Sequence, residues 1–488
     1  MNQRIMAFIL AGGVILGAGG MYAGIQLTEK EEADKAEELA APAMADIISQ
    51  ESGEEDEPGF DKVKQAYELI SERYVEEVNE EELLEGAIQG MLSSLDDPYS
   101  VYMDKETAKQ FTDSLDSSFE GIGAEVGMNE GKVIIVSPFK GSPAEKAGLQ
   151  PNDEILKIDN KAVKGNDLNE TVLKIRGKKG TKVKIEIHRP GTRGNITFDV
   201  KRDEIPLETV FSSVKKYQDK KVGYIEITSF SENTAQSFSK QLVQLEKEGI
   251  EGLVLDVRGN PGGYLQSVEE ILKQFVTKDK PYIQIEERNG EKKRYFSTLE
   301  KKKNYPVSVI TDKGSASASE ILAGALKEAS GYKVVGNTSF GKGTVQQAVP
   351  MGDGSNIKLT LYKWLTPDGN WIHKKGVEPT IKIQQPEYFT AGPLQIEKVL
   401  KKDMNEEKVK VAQVLLKGLG FEPGREDGYY SEGTETAVKA FQQVHKVKPS
   451  GQIDANTAQK MNEAITELIK NEKNDLQLQT AIQALFKS

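Results

Sequence analysis

The pattern of apolar and polar residues divides the chain into segments of different character. Ile5 to Leu27 is a run of 23 residues without a charged side chain, long enough to cross a hydrocarbon layer of about 30 Å. From Asp61 to Phe111, apolar residues recur with helical spacing, and Asp96-Asp97-Pro98 marks a turn. The pattern therefore predicts a hydrophobic N-terminal helix and then a helical region.

Short β-rich runs follow between Phe119 and Lys201. Residues 132–136 (KVIIV), 154–158 (EILKI) and 182–189 (KVKIEIHR) are rich in Val and Ile, with glycines and Asn-Asp pairs between them. Such runs between turn residues predict the strands of a small β domain.

Strand-like and helix-like segments alternate from Ile205 to Lys382. The pattern predicts, in chain order, a strand at 223–227, a helix at 232–248, a strand at 253–257, a helix at 265–275, a strand at 307–310, a helix at 317–328 and a strand at 333–336. This alternation is typical of a layered α/β sheet. The later runs TVQQAV and IKLTLYKW have no helix between them and predict hairpin strands.

The segment from Glu407 to Lys470 has the spacing of a small helical module. Apolar positions from 412 to 419 form one stripe that Gly420 ends, and Thr434 to Val444 is a second amphipathic helix. The last segment, Leu476 to Phe486, is also amphipathic and is a candidate for assembly.

Composition excludes several kinds of chemistry. The chain has 488 residues, no Cys and 3 widely separated His, which excludes thiol catalysis and disfavours a zinc site. The net charge of −12 argues against a nucleic-acid partner. Residues 28–59 hold 12 acidic residues and 2 Lys, a net of −10, which leaves about −2 for the rest. This acidic stretch predicts a disordered linker.

The uncharged N-terminal run favours an uncleaved signal anchor. Arg4 precedes it and acidic residues follow it, which places the body outside the cytoplasm. The run is longer than a signal-peptide core of about 7–15 residues, and no convincing small-residue cleavage site follows it. A cleaved signal peptide and a buried soluble helix are the alternatives.

The run KGSASASEI (313–321) contains a candidate nucleophile. Ser317 and Glu320 also fit a helix capping box, so a purely structural role is the alternative. Backbone N–H groups at a helix start can stabilise a developing oxyanion. The loop DVRGNPGG (256–263) is a candidate for a second N–H donor. That loop has a second interpretation as a plain strand-to-helix turn.

A nucleophilic serine needs a base within reach. The histidines lie in three different predicted regions, at His188, His373 and His445, and none is placed for a triad. Lys342 is the remaining candidate, provided that burial between its two flanking glycines lowers its pKa from about 10.4 to about 7–8. Gln346 lies four residues on, where its carbonyl can orient the amine.

A phosphate-binding P-loop is a competing interpretation of Gly336 to Lys342. Gly343 stands where such a loop needs Ser or Thr for magnesium. The following TVQQAVPMGDG does not favour the helix that a phosphate site requires. Nucleotide hydrolysis is therefore disfavoured.

In combination, several stretches resemble the C-terminal processing (tail-specific) serine proteases. They are GMLSSLDDPYSVYM, GIGAEVG, SPAEKAGLQPNDEILKID, LDVRGNPGG, GSASASEILAGAL and GNTSFGKGTVQ, which span roughly residues 60–385. The layout is most similar to that of membrane-anchored Bacillus-type members. The resemblance implies a multidomain α+β fold with a helical N-terminal region, a PDZ β domain, an α/β layered protease core of the crotonase/ClpP type and a small helical peptidoglycan-binding-like module.

These segments predict the domain organisation. We expect a membrane anchor at 1–27, an acidic disordered linker at 28–59, an N-terminal helical region at 60–115, a PDZ domain at 116–203, a serine-lysine protease core at 204–385, a linker at 386–406, a peptidoglycan-binding-like module at 407–470 and a C-terminal helix at 471–488.

The resemblance implies the roles of individual residues. It implies three catalytic residues: Ser317 as the nucleophile, Lys342 as the general base and Gln346 as its support. It implies an oxyanion hole made by two backbone N–H groups, those of Ala318 and Gly263 (or Gly262).

For the β domain, the resemblance implies that a protein C-terminus adds to the sheet as a strand. A loop of four residues, Gly121, Ile122, Gly123 and Ala124, is expected to bind its carboxylate, although the glycines alternatively make only a turn. Arg176 is expected to relay peptide binding to the protease site.

The function implied is that of a bacterial, membrane-anchored, extracytoplasmic serine endopeptidase that processes C-terminal tails, with signalling during sporulation as a candidate process. No metal or other cofactor is expected. The expected partners are substrate proteins with exposed tails, the membrane, peptidoglycan and a second copy of the chain. A catalytically inactive PDZ scaffold at the cell wall is the alternative function, and a helical dimerisation unit is the alternative for the C-terminal module.

Overall fold

The computed structural model describes residues 60–115, 118–129, 131–139, 141–163, 168–190, 192 and 194–487. The predicted membrane anchor and acidic linker lie outside the described residues. In this described part, no helix is both long and apolar enough to span a bilayer.

The N-terminal region is helical, as the spacing predicts. Its elements are α1 (Phe60–Arg73), α2 (Glu80–Ser93), the short strand β1 (Val101–Met103) and α3 (Lys105–Leu115). The predicted turn lies between α2 and β1, and the pattern did not indicate β1. Among the described residues, α1 and α2 contribute no buried side chain, so their apolar faces are open.

The β domain contains the three predicted strands within a larger antiparallel sheet. Its elements are β2 (Ser118–Gly121), β3 (Ala124–Asn129), β4 (Lys132–Pro138), α4 (Pro143–Ala147), β5 (Glu154–Ile158), β6 (Lys161–Ala162), α5 (Leu168–Ile175), β7 (Lys182–His188), β8 (Asn195–Lys201) and β9 (Asp203–Pro206). The main sheet has the order β3-β4-β5-β7-β8, and β2 pairs with β9. In β7, Val183, Ile185 and Ile187 are fully buried, because alternate residues of a strand face the same side.

The segment expected to be the protease core is built on the predicted α/β sheet. Its strands, in the spatial order of the sheet, are β10 (Val210–Tyr217), β11 (Lys220–Ile227), β12 (Gly252–Asp256), β15 (Val307–Thr311), β16 (Lys333–Gly336) and β19 (Ile381–Lys382). From β11 to β19 the pairs are parallel. Three helices cover one face: α6 (Thr234–Lys247), α7 (Leu265–Leu272) and α8 (Ala318–Glu328). The strands are buried on both sides, so they appear in the sequence as continuous apolar runs.

A second, antiparallel sheet lies beside this core. It consists of β13 (Pro281–Glu286), β14 (Lys292–Phe296), β17 (Thr344–Pro350) and β18 (Asn356–Leu365). The predicted hairpin is confirmed, because β17 and β18 pair antiparallel. Strand β1 of the N-terminal region also pairs with β18. The N-terminal region therefore joins a sheet of the protease core.

The C-terminal module has its own core. Helices α9 (Glu407–Gly418), α10 (Glu432–Val444) and α11 (Ala455–Lys470) pack around Tyr430 and Phe441, which are both fully buried. Short 3₁₀ turns lie before and after it, at Glu387–Phe389 and Glu472–Asn474. Gly420 follows α9 with a φ of 86°, which agrees with its expected role as a helix terminator.

The last helix, α12 (Leu476–Phe486), packs on the protease core of its own chain. Its Leu478, Ile482 and Leu485 lie against Val254 and Ile310, which face away from α6, α7 and α8. The amphipathic segment that was a candidate for assembly thus covers the second face of the core sheet. The result is a three-layer α/β/α core.

Candidate active site

Ser317 stands directly before α8, after the loop that follows β15. Its φ of 54° and ψ of −113° are unusual for a residue with a Cβ atom, so the turn holds it in a strained conformation. Its N–H donates to the Glu320 carboxylate at 2.9 Å, which forms one half of the predicted capping box. Ser317 is 6% exposed and lines a small pocket.

The loop 257–263 after β12 lies against this helix start. The carbonyl of Asn260 accepts the N–H of Ala316 at 3.0 Å, and its Oδ1 accepts the N–H of Gly262 at 2.8 Å. A Cβ on Gly262, whose φ is 108°, would lie 2.8 Å from the Cβ of Ser317 and 3.0 Å from the backbone N of Ala318. Glycine therefore permits the close approach of this loop to the serine.

The two glycines considered for the oxyanion hole differ in their hydrogen bonds. The Gly262 N–H is engaged by Asn260, whereas the Gly263 N–H has no acceptor among the described residues. Gly263 and Ala318 line the same pocket as Ser317. This geometry favours Gly263 over Gly262 as the donor beside Ala318.

Lys342 is held in a tightly closed loop. It is 1% exposed. A Cβ on Gly341 would lie 2.9 Å from the backbone N of Lys375, and one on Gly343 would lie 2.7 Å from the backbone N of His373. The flanking glycines thus let segment 371–376 close over the lysine, as the sequence indicated.

The two tryptophans of the chain hold the backbone of this loop. The indole N–H of Trp364 donates to the Lys342 carbonyl at 2.7 Å, and that of Trp371 donates to the Gly343 carbonyl at 2.7 Å. Each indole group has one N–H donor, and here the donors of both tryptophans hold the loop around Lys342.

The surroundings of Lys342 favour its neutral form. Burial lowers its pKa from 10.5 to about 7, with a further contribution from the nearby Lys358 cation, while the carboxylates of Glu320 and Asp97 act in the opposite direction. The Tyr99 ring centre lies 5.0 Å from the amine. An amine with a pKa near 7 is available as a base at neutral pH.

The described hydrogen bonds connect the backbones of Ser317 and Lys342 through Glu320 and not their side chains directly. Among the described hydrogen bonds, none joins the Ser317 hydroxyl to the Lys342 amine, although the two backbone N–H groups share one acceptor atom on Glu320. Catalytic hydrogen bonds are often long in structures without substrate.

Gln346 presents a free carbonyl inside the site. It is fully buried, and its Nε2 donates to the hydroxyls of Thr344 at 2.9 Å and Thr360 at 3.0 Å. Its Oε1 is buried and has no hydrogen-bond partner among the described residues. Since an unpaired buried carbonyl costs free energy, this oxygen is suited to accept a hydrogen bond from an amine.

Glu320 is a functional residue that the sequence indicated only as a helix cap. It is fully buried, and its Oε1 accepts the Ser339 hydroxyl and the Gly341 N–H at 2.6 Å each. Its Oε2 accepts the backbone N–H groups of Ser317 and Lys342. Burial raises its pKa, and the hydrogen bonds from these groups oppose that rise. The available signal was an acidic residue inside a run of small and apolar ones.

The histidines do not form a triad with Ser317. His188 ends β7, and His445 follows α10. His373 lies beside the site, where it stacks on Trp371 with ring centres 5.1 Å apart and meets Tyr99 edge-on at 6.4 Å. Burial lowers the pKa of His373, and none of the described hydrogen bonds joins it to Ser317.

The predicted carboxylate loop of the β domain connects β2 to β3. Its residues are Gly121, Ile122, Gly123 and Ala124. Gly123 has a φ of 71°, and a Cβ there would lie 2.6 Å from the Cβ of Ser142. The loop conformation therefore depends on glycine at this position.

Arg176 borders this loop. It follows α5, is exposed, and places its guanidinium 5.0 Å from the centre of the Phe119 ring. Its Cγ lies 3.9 Å from the position of a Cβ on Gly121. No described contact brings Arg176 to Ser317 or Lys342, so its expected role as a relay stays a prediction.

The competing P-loop interpretation does not fit the structure. Strand β17, rather than a helix, begins at Thr344 directly after the Gly-Lys-Gly segment, so the helix N-terminus that a phosphate needs is missing there. In the part of the chain that the structure describes, no group of three or more His, Asp or Glu side chains is placed to share a metal ion.

Comparison with protein families matches four parts of the chain. Residues 221–383 match peptidase family S41, and residues 121–201 match the PDZ domain. Residues 14–107 match the N-terminal domain of the activating protease CtpB, and residues 405–461 match a peptidoglycan binding domain. The chain is also 68% identical to the carboxy-terminal processing protease CtpB of Bacillus subtilis, over 100% of both chains.

The chain belongs to the carboxy-terminal processing proteases. It is a serine-type hydrolase with a PDZ domain. This assignment disfavours the alternative function, a catalytically inactive scaffold. The carboxy-terminal processing protease CtpA of Bacillus subtilis is 45% identical, over 90% of this chain and 93% of its own. Among solved structures, the photosystem II D1 C-terminal processing protease is 28% identical, with a TM-score of 0.42, over 67% of this chain and 87% of its own.

Proposed function

We propose that this carboxy-terminal processing protease cuts by a serine-lysine mechanism and is anchored outside the cytoplasm by its N-terminal segment. One observation carries the mechanism. The Lys342 amine is buried, with a pKa lowered to about 7. The backbone N–H groups of Lys342 and of the strained Ser317 donate to the same oxygen of Glu320. A poised amine and a hydroxyl at a helix start form the combination that serine-lysine hydrolysis needs.

In the acylation step, the Ser317 oxygen attacks the scissile carbonyl carbon while its proton passes to the neutral Lys342 amine. The N–H groups of Ala318 and Gly263 stabilise the oxyanion. Lys342 then gives the proton to the leaving nitrogen as the C–N bond breaks, which leaves an ester on Ser317. In deacylation, Lys342 takes a proton from water, the resulting hydroxide attacks the ester, and the Ser317 oxygen leaves and regains a proton.

The pocket next to Ser317 predicts which residue precedes the scissile bond. Apart from Ser317, Ala318, Gly263 and Thr344, its lining is apolar: Leu265, Ile321, Val345 and Trp364. An apolar lining excludes a charged side chain, because burial of an unpaired charge is costly. We expect a small apolar residue at this position.

The PDZ domain supplies recognition in this proposal. An exposed protein C-terminus adds to its sheet, and the loop from Gly121 to Ala124 binds the terminal carboxylate. The family match to a PDZ domain and the dependence of the loop on Gly123 support this role.

Three further parts of the proposal concern location and partners. The uncharged run Ile5–Leu27 supports a single-pass anchor with the body outside the cytoplasm. The match of residues 405–461 supports contact with peptidoglycan. The open apolar faces of α1 and α2, with Phe60 71% and Leu84 52% exposed, support a second copy as partner. Signalling during sporulation stays a hypothesis about the process.

The test is a cleavage assay with an internally quenched peptide that ends in a free carboxylate. Ser317→Ala and Lys342→Ala are expected to abolish cleavage, whereas Lys382→Ala, at an exposed position of β19, is expected to leave it intact. Cleavage by Lys342→Ala would overturn the serine-lysine mechanism. The same peptide with an amidated C-terminus is expected to be cut more slowly, and equal rates for the two peptides would overturn carboxylate recognition.

A further inference from the structure

A segment of the N-terminal region lies beside the base. Strand β1 pairs with β18, with Val101 opposite Lys358, and this pairing brings the preceding residues to the site. Tyr99 faces the Lys342 amine, and the Asp97 carboxylate is close enough to raise the pKa of that amine. Residues remote in sequence thus complete the surroundings of Lys342.

Hydrogen bonds connect this segment to Gln346. The Ser100 hydroxyl donates to Asp97 at 2.6 Å and accepts the backbone N–H of Thr360 at 3.0 Å. Thr360 stands opposite Gln346 in the β17–β18 pair, and its hydroxyl accepts from the Gln346 Nε2 at 3.0 Å. The chain of contacts runs from Asp97 to the amide beside the base.

The charge of Asp97 gives this chain a direction. Burial alone would raise the pKa of Asp97, but the hydrogen bonds that this carboxylate accepts, first among them that from Ser100, outweigh burial, and the pKa is lowered. An ionised carboxylate only accepts hydrogen bonds. The Ser100 hydroxyl therefore donates to Asp97, and its oxygen is left to accept the backbone N–H of Thr360, whose hydroxyl accepts from Gln346.

The contacts of Nε2 show which way the Gln346 amide points. With Nε2 turned to two hydroxyls, the carbonyl oxygen is the atom left buried and unpaired. The opposite orientation would present an N–H₂ group to the site, and a protonated amine cannot donate to another donor. A fixed carbonyl is thus a condition for orienting Lys342.

We propose that Asp97 and Thr360 are positioning residues of the base, which fix the Gln346 amide so that its carbonyl is available to the Lys342 amine. They act through Gln346 and do not touch the reacting atoms. The proposal rests on the serine-lysine mechanism proposed for this site.

A pH profile separates this role from simple packing. The charged groups around Lys342 in the described part are Asp97 from the N-terminal region, Glu320 from α8 and Lys358 from β18, while His373 faces Asp97. Asp97→Asn removes one of the two carboxylates that favour the protonated amine. The acidic limb of the pH–rate profile should therefore move to lower pH, which a loss of packing alone would not cause.

The experiment compares four full-length variants in the quenched-peptide assay: Thr360→Val, Thr360→Ser, Asp97→Asn and the control Thr436→Val, at an exposed position of α10. Thr360→Val keeps the shape of the side chain and removes the hydroxyl, so kcat should fall about 10- to 100-fold with little change in KM. Thr360→Ser should restore most of kcat, because it restores the hydroxyl. Thr436→Val should behave like the unchanged protein.

Two results would overturn the proposal. One is a Thr360→Ser variant as slow as Thr360→Val, and the other is an Asp97→Asn variant whose acidic limb does not move. If Thr360→Val does not fold, the Asp97→Asn profile and the Thr360→Ser rate still decide. Lys342→Ala and Ser317→Ala are measured in parallel. Activity in Lys342→Ala would show failure of the underlying mechanism, whereas an inactive Lys342→Ala with unaffected Asp97 and Thr360 variants would show failure of the positioning role alone.

Discussion

The Oε2 atom of Glu320 accepts the backbone N–H of Lys342 at 2.8 Å. The same atom accepts the N–H of Ser317 at 2.9 Å. One buried oxygen therefore fixes the backbone of the proposed base relative to the backbone of the proposed nucleophile. The relative position of these two residues depends on this carboxylate.

Glu320→Gln should lower both activity and stability. A carboxylate accepts with both oxygens, and four donors use them here, whereas an amide has one acceptor oxygen. Each buried donor left unpaired costs about 1–3 kcal/mol. We expect a lower thermal unfolding temperature and a kcat lowered at least about 10-fold. Glu378→Gln, at an exposed position, is the control, and a Glu320→Gln enzyme equal to it would refute this role.

Lys342→Met should be inactive but more stable than the unchanged protein at neutral pH. The folded-state pKa of about 7 lies below the ordinary value of 10.5, so the unfolded chain binds more protons between these values. The unfolding free energy of the unchanged protein therefore rises with pH across this window. The variant should gain on the order of a few kcal/mol near pH 7, and the gain should shrink towards pH 10. Calorimetry against Lys382→Met tests this, and a variant less stable than its control at pH 7 would contradict it.

Lys358→Met should shift the pH dependence of cleavage upwards. Burial lowers the pKa of Lys358 to about 8, so this amine is still largely charged near pH 7 and favours a neutral Lys342. Without that charge, the pKa of Lys342 rises, and the acidic limb of the pH–rate profile moves to higher pH. Lys363→Met, on the exposed side of the same strand, should leave the limb in place. A limb that moves to lower pH would show that the charge of Lys358 does not act on the base.

Asp475→Asn should weaken the hydrogen bonding between the start of α12 and the loop 257–263. Asp475 accepts two hydrogen bonds from Arg258, at 3.0 and 2.8 Å, and Arg258 lies in the loop 257–263 that contains Gly262. Loss of a mostly buried charged acceptor should lower the unfolding free energy by about 1–3 kcal/mol. Asp427→Asn, in a half-exposed pair with Arg425 (side chains 55% and 50% exposed), should cost less than about 1 kcal/mol. Equal effects of the two changes on thermal unfolding would argue against this link.

The order of helices and strands was predictable because each depends on local periodicity. Residues 253–257 and 307–310 are continuous apolar runs, as strands buried on both sides require, and the helix predicted between them is present as α7. The glycines around Lys342 indicated close packing for a similar reason, since the absence of a side chain is itself a local property. The resemblance to tail-specific proteases then indicated which serine and which lysine to consider.

The sequence by itself determined most of the elements, the candidate nucleophile and a lysine that packing had room to bury. Tertiary structure decided the rest: that Glu320 joins Ser317 to Lys342, that the N–H of Gly263, unlike that of Gly262, has no acceptor among the described residues, and that residues 97–100 reach Lys342. It also decided that α12 covers the core sheet of its own chain. The physical reason is that periodicity reports which face of an element is buried but not which remote group lies against it. Hydrogen-bond partners and the desolvation that lowers the pKa of Lys342 depend on such remote groups, and only the folded chain brings them together.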